Sequence, residues 1–174
     1  MNDFLEQVWL DNPVKYYLVV AGVILFVIIL KRFISRYLAG LMFKVVNKIW
    51  KDVDKKAFTS LVAKPLGVFL VILVAVTTLS RLKFPELLNV DIYRVTFKEL
   101  MQSIGSLILI ISFIRLLLRI IDFISIILHI RADRTHDITD NQLIVFFKDF
   151  FKVVLSIIGL LMIFKFSFGL KIGN

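Results

Sequence analysis

Four long stretches without a charged residue constrain this chain more than any other feature of its sequence. They are Tyr16–Leu30, Pro65–Ser80, Leu100–Ile114 and Val153–Phe164. A soluble domain distributes its apolar residues as stripes on helices or at alternate positions of strands, so uninterrupted blocks indicate lipid as the solvent. Hydrophobic residues make up 59% of the chain, above the roughly 45–50% that is typical of soluble domains.

Each block is shorter than the 18 or so residues that identify a membrane span by themselves. Lysine or arginine flanks most of the block ends, and these long side chains can reach the membrane interface. The sequence therefore predicts an all-α integral membrane protein, a single module over residues 1–174 without a β domain; an unusually apolar soluble bundle is the alternative. The predicted transmembrane helices cover approximately residues 15–36, 65–81, 100–121 and 146–168, and a basic helical hairpin covers residues 31–64.

The distribution of basic residues predicts the orientation of the spans. Residues 31–64 contain nine lysines and arginines against two acidic residues, whereas the segment before the first block is mainly acidic. Because basic loops remain on the cytoplasmic side, we expect this first connection in the cytoplasm and the N-terminus outside. The net charge of +9 is explained by the anionic lipids of the inner leaflet, so no nucleic-acid partner is expected.

The first connection also has helical order. Its basic residues Arg32, Arg36, Lys44 and Lys48 are spaced by multiples of four, which places them on one ridge of a helix that continues out of the membrane. Pro65 predicts a kink or a start of the returning helix. The hairpin is either an amphipathic element on the inner membrane surface or a paddle coupled to bilayer tension, and the four basic residues are candidate lipid contacts.

A second group of charges follows the third block. Arg115, Arg119 and Asp122 are separated by four and three residues and share one helical face. We predict an ion pair within the helix between Arg119 and Asp122. The same face is also suited to contact a neighbouring helix or a lipid phosphate.

The next connection contains possible metal ligands, namely His129, Asp133, His136 and Asp137. Their spacing matches no standard metal site, so no metal is predicted. A Thr-x-x-Gln pattern, Thr139 to Gln142, instead predicts the start of the last helix through a capping box.

The sequence contains none of the common catalytic signatures. A nucleophile elbow, an H-E-x-x-H motif and a phosphate-binding glycine loop are all missing from it. We therefore predict that the protein is not an enzyme and has no catalytic or cofactor-binding residues.

The last fifth of the chain, "DITDNQLIVFFKDFFKVVLSIIGLLMIFKFSFGLKIGN" (residues 137–174), resembles the approach to the pore in the small-conductance mechanosensitive channel family. In that family an aspartate-rich turn opens a helix that crosses outward, and a short glycine-containing link leads to the pore helix. Asp137, Asp140, Gly169 and Asn174 occupy the corresponding kinds of position. The basic hairpin is similar to the helical extensions of longer members. The glycine- and alanine-rich pore helix and the β-rich cytoplasmic domain of the family are not within these 174 residues.

This resemblance implies the N-terminal, tension-sensing and lipid-contacting part of a bacterial mechanosensitive ion channel, truncated before its pore helix. It implies a multi-pass protein of the inner membrane, with the intact family protein forming a homo-oligomeric ring. The alternative is a self-contained four-span membrane protein, such as a scaffold, an assembly factor or a small transporter subunit. The codons that follow Asn174 would distinguish the two.

Overall fold

The structure, a computed structural model, describes residues 5–49, 55–84, 91–92, 95–135 and 138–168, and these are mostly helical. The all-α fold class is confirmed. The helices are α1 (Val14–Ile49), α2 (Lys55–Phe58), a π-helical turn (Thr59–Ala63), α3 (Lys64–Leu79), α4 (Phe97–Thr135) and α5 (Ile138–Phe168).

Two short antiparallel ribbons accompany the helices, and the sequence did not predict either of them. Strands β1 (Val8–Trp9) and β2 (Asn12–Pro13) form the first, and β3 (Asp91–Ile92) and β4 (Val95–Thr96) form the second. Each ribbon directly precedes a long helix. They are turns at helix entrances and do not amount to a β domain.

Each long helix packs mainly against its neighbour in the sequence. Helix α1 contacts α3, α3 contacts α4, and α4 makes the most extensive contact of all with α5. The π-helical turn touches both α1 and α4. Consecutive helices lie side by side, and among the residues that the structure describes many large apolar side chains of α1 and α5 are exposed.

Helix α1 continues well beyond the first apolar block, as predicted. Its 36 residues correspond to about 54 Å of helix, against a hydrocarbon thickness of about 30 Å. A single helix therefore carries both the apolar block and the first half of the basic segment. Residues 50–54, at the predicted hairpin tip, lie outside the described residues.

Pro65 lies in the first turn of α3, so the predicted helix start is confirmed. The sequence did not predict the π-helical turn before it, in which the amide of Lys64 donates to the carbonyl of Thr59, five residues back. A proline ring clashes with the carbonyl four residues earlier in a regular α-helix. A turn widened to five residues moves that carbonyl away, and the chain stays helical from Lys55 to Leu79.

The best-buried apolar cluster lies where this turn meets α4. Phe58, Val62 and Ala63 pack there against Phe123 and Ile127, and Phe58 is 1% exposed. The Phe58 and Phe123 rings meet edge to face, with centroids 5.2 Å apart. Residues 31–64 were predicted as a basic helical hairpin, either on the inner membrane surface or as a paddle coupled to bilayer tension. In the structure the part of this segment from Phe58 to Ala63 packs against α4.

Two helical segments among the described residues are long and apolar enough to cross a membrane, Val14–Lys31 with 18 residues and Lys56–Leu79 with 24. They correspond to the first two of the four predicted spans. Their length and composition indicate a membrane-associated protein.

Helices α4 and α5 approach each other closely at Gly159. This glycine is buried, and a Cβ atom built on it would lie 2.9 Å from Cγ1 of Ile114 and 3.2 Å from its Cδ1. A glycine at a helix contact allows the backbones to come together, as in many membrane helix pairs. By contrast, Gly22 of α1 has no atom within 4 Å of such a Cβ.

We predict that Gly159→Leu destabilises the protein by about 1–3 kcal/mol, because the new side chain must displace Ile114 or separate α4 from α5. Gly22→Leu is the matched control: it makes the same chemical change on a helix but enters open space. Unfolding of both variants in detergent micelles, followed by circular dichroism, gives the comparison. Equal stability of the two variants would contradict the close approach.

Candidate functional site

A carboxylate joins α4 to α5 through two basic side chains. Oδ1 of Asp122 lies 2.5 Å from Nζ of Lys152 in α5. Its Oδ2 lies 3.9 Å from Nη1 of Arg119, three residues earlier in α4. The side chains of Asp122 and Lys152 are 22% and 30% exposed, and that of Arg119 is 47% exposed. The carboxylate is thus half-buried between two cations from two helices.

The predicted pair of Arg119 and Asp122 is confirmed, but it is the longer of the two contacts. Lys152 is the nearer partner and was missed. The sequence carried one signal for it, since Lys152 stands at the charged end of the fourth apolar block as Arg115 stands at the end of the third. The two antiparallel helices place Ile114, the last residue of the third block, against Gly159, so Lys152 lies level with Asp122, eight residues beyond that block.

The contribution of this ion pair to the stability of the protein depends on its partial burial. An exposed ion pair contributes about 0–1 kcal/mol, whereas removing one partner of a buried pair leaves an uncompensated charge and costs more. Arg115, one turn before Arg119, is exposed, and no ion pair involving it is found within the described residues. The face therefore carries more positive than negative charge, which suits an anionic lipid headgroup.

A second polar contact joins the same helices nearer the connection between them. Nδ1 of His129 lies 2.9 Å from Oδ1 of Asn141. The histidine that resembled a metal ligand in the sequence therefore has a hydrogen-bond partner in α5. Within the described ranges no group of three His, Cys, Asp or Glu side chains is placed to hold a metal ion; His136 and Asp137 lie outside those ranges.

Between the ion pair and this hydrogen bond, α4 and α5 enclose an apolar groove with a volume of about 390 Å³. One side chain lining it, Ser125, is polar and buried, and another, Lys148, is basic. The other lining residues are Ile121, Ile124, Leu128, Ile144, Phe147, Phe151 and Leu155. Its size and lining fit a hydrocarbon chain, with the lysine placed to meet a negative group.

The four candidate lipid contacts of α1 remain a separate group. The structure confirms the helix that carries them, which places Arg32, Arg36, Lys44 and Lys48 on one ridge. Lys44 is exposed, and the side chains of the other three lie outside the described part of the structure. The main contacts of α1 are with α3 and the π-helical turn.

Large apolar side chains cover the outer faces of the long helices. On α5 the exposed rings of Phe146 and Phe150 stack on each other, and those of Phe147 and Phe151, which line the groove, form a second stacked pair. On α1 the exposed side chains include Leu18, Val19, Leu25, Phe26 and Ile29. Contiguous apolar surface on this scale marks contact with a membrane or with another protein.

Comparison with protein-family models, with curated proteins and with solved structures found no match to this chain.

We predict that Asp122 is coupled more strongly to Lys152 than to Arg119. A double-mutant cycle of Asp122→Ala with Lys152→Ala should give a coupling free energy within the range of about 0.5–3 kcal/mol found for residues in contact. The cycle with Arg119→Ala should give less, because that contact is longer and more exposed. Unfolding free energies in micelles provide both values, and a larger coupling to Arg119 would refute the assignment.

Proposed function

We propose that this chain is the tension-sensing, lipid-contacting part of a mechanosensitive channel of the small-conductance family, located in a bacterial inner membrane. The observation that carries the proposal is the apolar outer surface of the long helices, broken by half-buried charges where α4 and α5 meet. Lipid covers a surface of this kind at no desolvation cost, and the charged contact marks where the surface reaches the headgroups. The resemblance of residues 137–174 to the approach to a channel pore supports the choice of family.

In this proposal α4 and α5 supply the third and fourth spans. Their uncharged runs are Leu100–Ile114 and Val153–Phe164. The helices have 39 and 31 residues, about 58 and 46 Å, so both exceed a hydrocarbon core of about 30 Å. Lys152 lies at the cytoplasmic end of the fourth run and Asp122 lies eight residues beyond the third. The rest of the helix pair, with its groove, extends into the headgroup layer and beyond.

Tension acts on such a module through its area in the membrane plane. A stretched bilayer favours whichever conformation occupies more area, and it shifts the equilibrium by the difference between the two states. The charged contacts and the basic ridge of α1 hold the helices to the inner leaflet, so lateral expansion of that leaflet acts on the helices directly. In an intact channel of the family, a homo-oligomeric ring transmits this change to the pore.

The orientation can be tested because the chain has no cysteine. Single cysteines at Asp3 and Asn89 should react with an impermeant thiol reagent in intact cells, since the proposal places both outside. Single cysteines at Lys51 and Thr135 should react after the membrane is opened. Labelling of the second pair and not the first in intact cells would reverse the orientation.

Tension sensing can be tested with spin-label distances in liposomes. We expect lysolipid, which imposes tension when added to one leaflet, to lengthen the distance between labels at Leu25 of α1 and Leu160 of α5. Labels at Ile108 of α4 and Leu160 form the control pair, because α4 and α5 are joined by the ion pair and the Gly159 contact. All of these positions are exposed. Unchanged distances for both pairs would exclude a tension-dependent rearrangement.

A further inference from the structure

The chain enters its first helix through a turn that exposes apolar side chains. Val8, Trp9 and Leu10 are consecutive and exposed, with Trp9 at 72%. They form the tip of the ribbon of β1 and β2, in which Trp9 pairs with Asn12 and Val8 with Pro13. We call residues 8–11 the entry turn.

The entry turn has a backbone conformation that its residues disfavour. Leu10 and Asp11 have φ values of +46° and +60°, as in a type I′ turn. Glycine and asparagine populate this left-handed region readily, but a leucine there is disfavoured by its Cβ. Leu10 is thus held in an unfavourable backbone conformation while the residue remains 44% exposed. Neither local conformation nor packing within the described residues accounts for a leucine at this position.

Hydrogen bonds from Asn12 and Tyr17 hold the turn in this shape. The Tyr17 hydroxyl donates to the carbonyls of Trp9, at 3.0 Å, and Leu10, at 3.3 Å. Asn12, buried to 3% exposure, donates from Nδ2 to the carbonyl of Leu10 at 3.0 Å. These hydrogen bonds therefore hold the apolar tip of the turn in its exposed position.

The same asparagine fastens the turn to the far end of α3. Its Nδ2 donates to the carbonyl of Lys83 at 2.7 Å, and its Oδ1 accepts from the amide of Lys83 at 2.8 Å. The amide side chain thus pairs with both backbone groups of one residue, as a neighbouring strand would. The entry turn is fixed at once to the start of α1 and to the segment that follows α3.

The position of the turn identifies what covers it. The apolar segment Val14–Lys31, long enough to cross a membrane, begins directly after Pro13. The turn therefore lies level with the boundary between lipid and water at that end of the helix. Tryptophan is enriched at this boundary, where its ring meets lipid and its N–H reaches polar groups. Exposed Tyr16 and the ion pair of Lys15 with Glu6, at 3.5 Å, lie beside it.

We propose that the entry turn is an interfacial anchor: Val8, Trp9 and Leu10 insert into the boundary between headgroups and acyl chains of the leaflet at the N-terminal end of α1. Leucine in the left-handed position serves to place an apolar side chain at the tip, in contact with lipid. The proposal rests on the membrane-spanning role of α1 and extends the proposed function by adding an attachment to the second leaflet.

Tryptophan fluorescence of the full chain tests the anchor. The chain has two tryptophans, so Trp50→Phe leaves Trp9 as the only reporter. In vesicles of phosphatidylcholine and phosphatidylglycerol, we expect blue-shifted Trp9 emission, protection from aqueous iodide, and stronger quenching by lipids brominated near the headgroup than by lipids brominated near the chain end. Emission typical of water together with full iodide quenching would overturn the proposal. Protection from both iodide and brominated lipid would also overturn it, because another protein surface, such as a second copy of the chain, would then cover the turn.

A Leu10→Asn variant in the same background separates lipid contact from the shape of the turn. Asparagine favours the left-handed backbone, so the turn should be at least as well formed, while quenching by shallow brominated lipid should fall by roughly half as the apolar tip is lost. Unchanged quenching would show that Leu10 does not contact lipid. Flotation of the vesicles is the control for the proposed function: protein that does not float with lipid contradicts the membrane module itself, whereas floating protein with a water-exposed Trp9 contradicts the anchor alone.

Discussion

The edge-to-face contact of Phe58 with Phe123 determines where the pair formed by α1 and α3 meets the pair formed by α4 and α5. Phe58 ends the short helix α2, and the π-helical turn and α3 follow it without a break. Fixing this ring against α4 therefore fixes the start of α3, and the direction of α3 then follows from the helix itself. The contact lies beside Val62, Ala63 and Ile127, in the best-buried cluster of the described residues. Loss of the Phe58 ring would leave a cavity at this junction, and large-to-small changes of this kind typically cost about 3–5 kcal/mol.

The chain has far more apolar side chains than its own helices can cover. Helices that pack only against sequence neighbours form an open arrangement, and the outer faces of α1 and α5 keep large residues such as Phe26, Phe146 and Leu160 exposed. In water this surface would drive association. In a bilayer it needs no partner, because lipid tails are as apolar as leucine and helices then hold together through close packing and polar contacts. Gly159 against Ile114 and Asp122 with Lys152 are contacts of these two kinds.

Each apolar block of the sequence lies within a helix, but the helices continue well past the predicted spans, α1 to Ile49 and α4 to Thr135. The continuation of α1 past Lys31, the start of α3 at Pro65 and the pair of Arg119 with Asp122 could all be read from spacing within one helix. Contacts between helices could not be, since the partner of Asp122 in α5 depends on how far one helix slides along the other.

The sequence also contains a capping box that was not predicted. Thr96 and Glu99 form a reciprocal capping box at the start of α4: the amide of Thr96 donates to Oε2 of Glu99 at 3.0 Å, and the amide of Glu99 donates to Oγ1 of Thr96 at 3.3 Å. The sequence predicted such a box at Thr139 instead, where α5 has already begun at Ile138. The Thr-x-x-Glu pattern that begins at Thr96 could equally have been recognised in the sequence.

The interfaces between helices differ in how tightly they are packed. This difference indicates at which interface the helices can shift relative to each other. At Gly159 a Cβ would clash with Ile114, whereas at Gly105 of α4 the nearest atom, Cγ1 of Val76 in α3, lies at an ordinary 3.6 Å. The pair of α4 and α5 also has an ion pair. The start of α1 is tied to the segment after α3 by the bidentate contact of Asn12, just before α1, with Lys83. Between α3 and α4 the contacts are apolar rings, such as Phe69 with Phe113 at 5.5 Å, and apolar contacts have no preferred direction. Sliding along this interface breaks no directional bond found among the described residues. Under the proposed function, an increase in membrane area would be accommodated at the α3–α4 contact, and each helix pair would move as a unit.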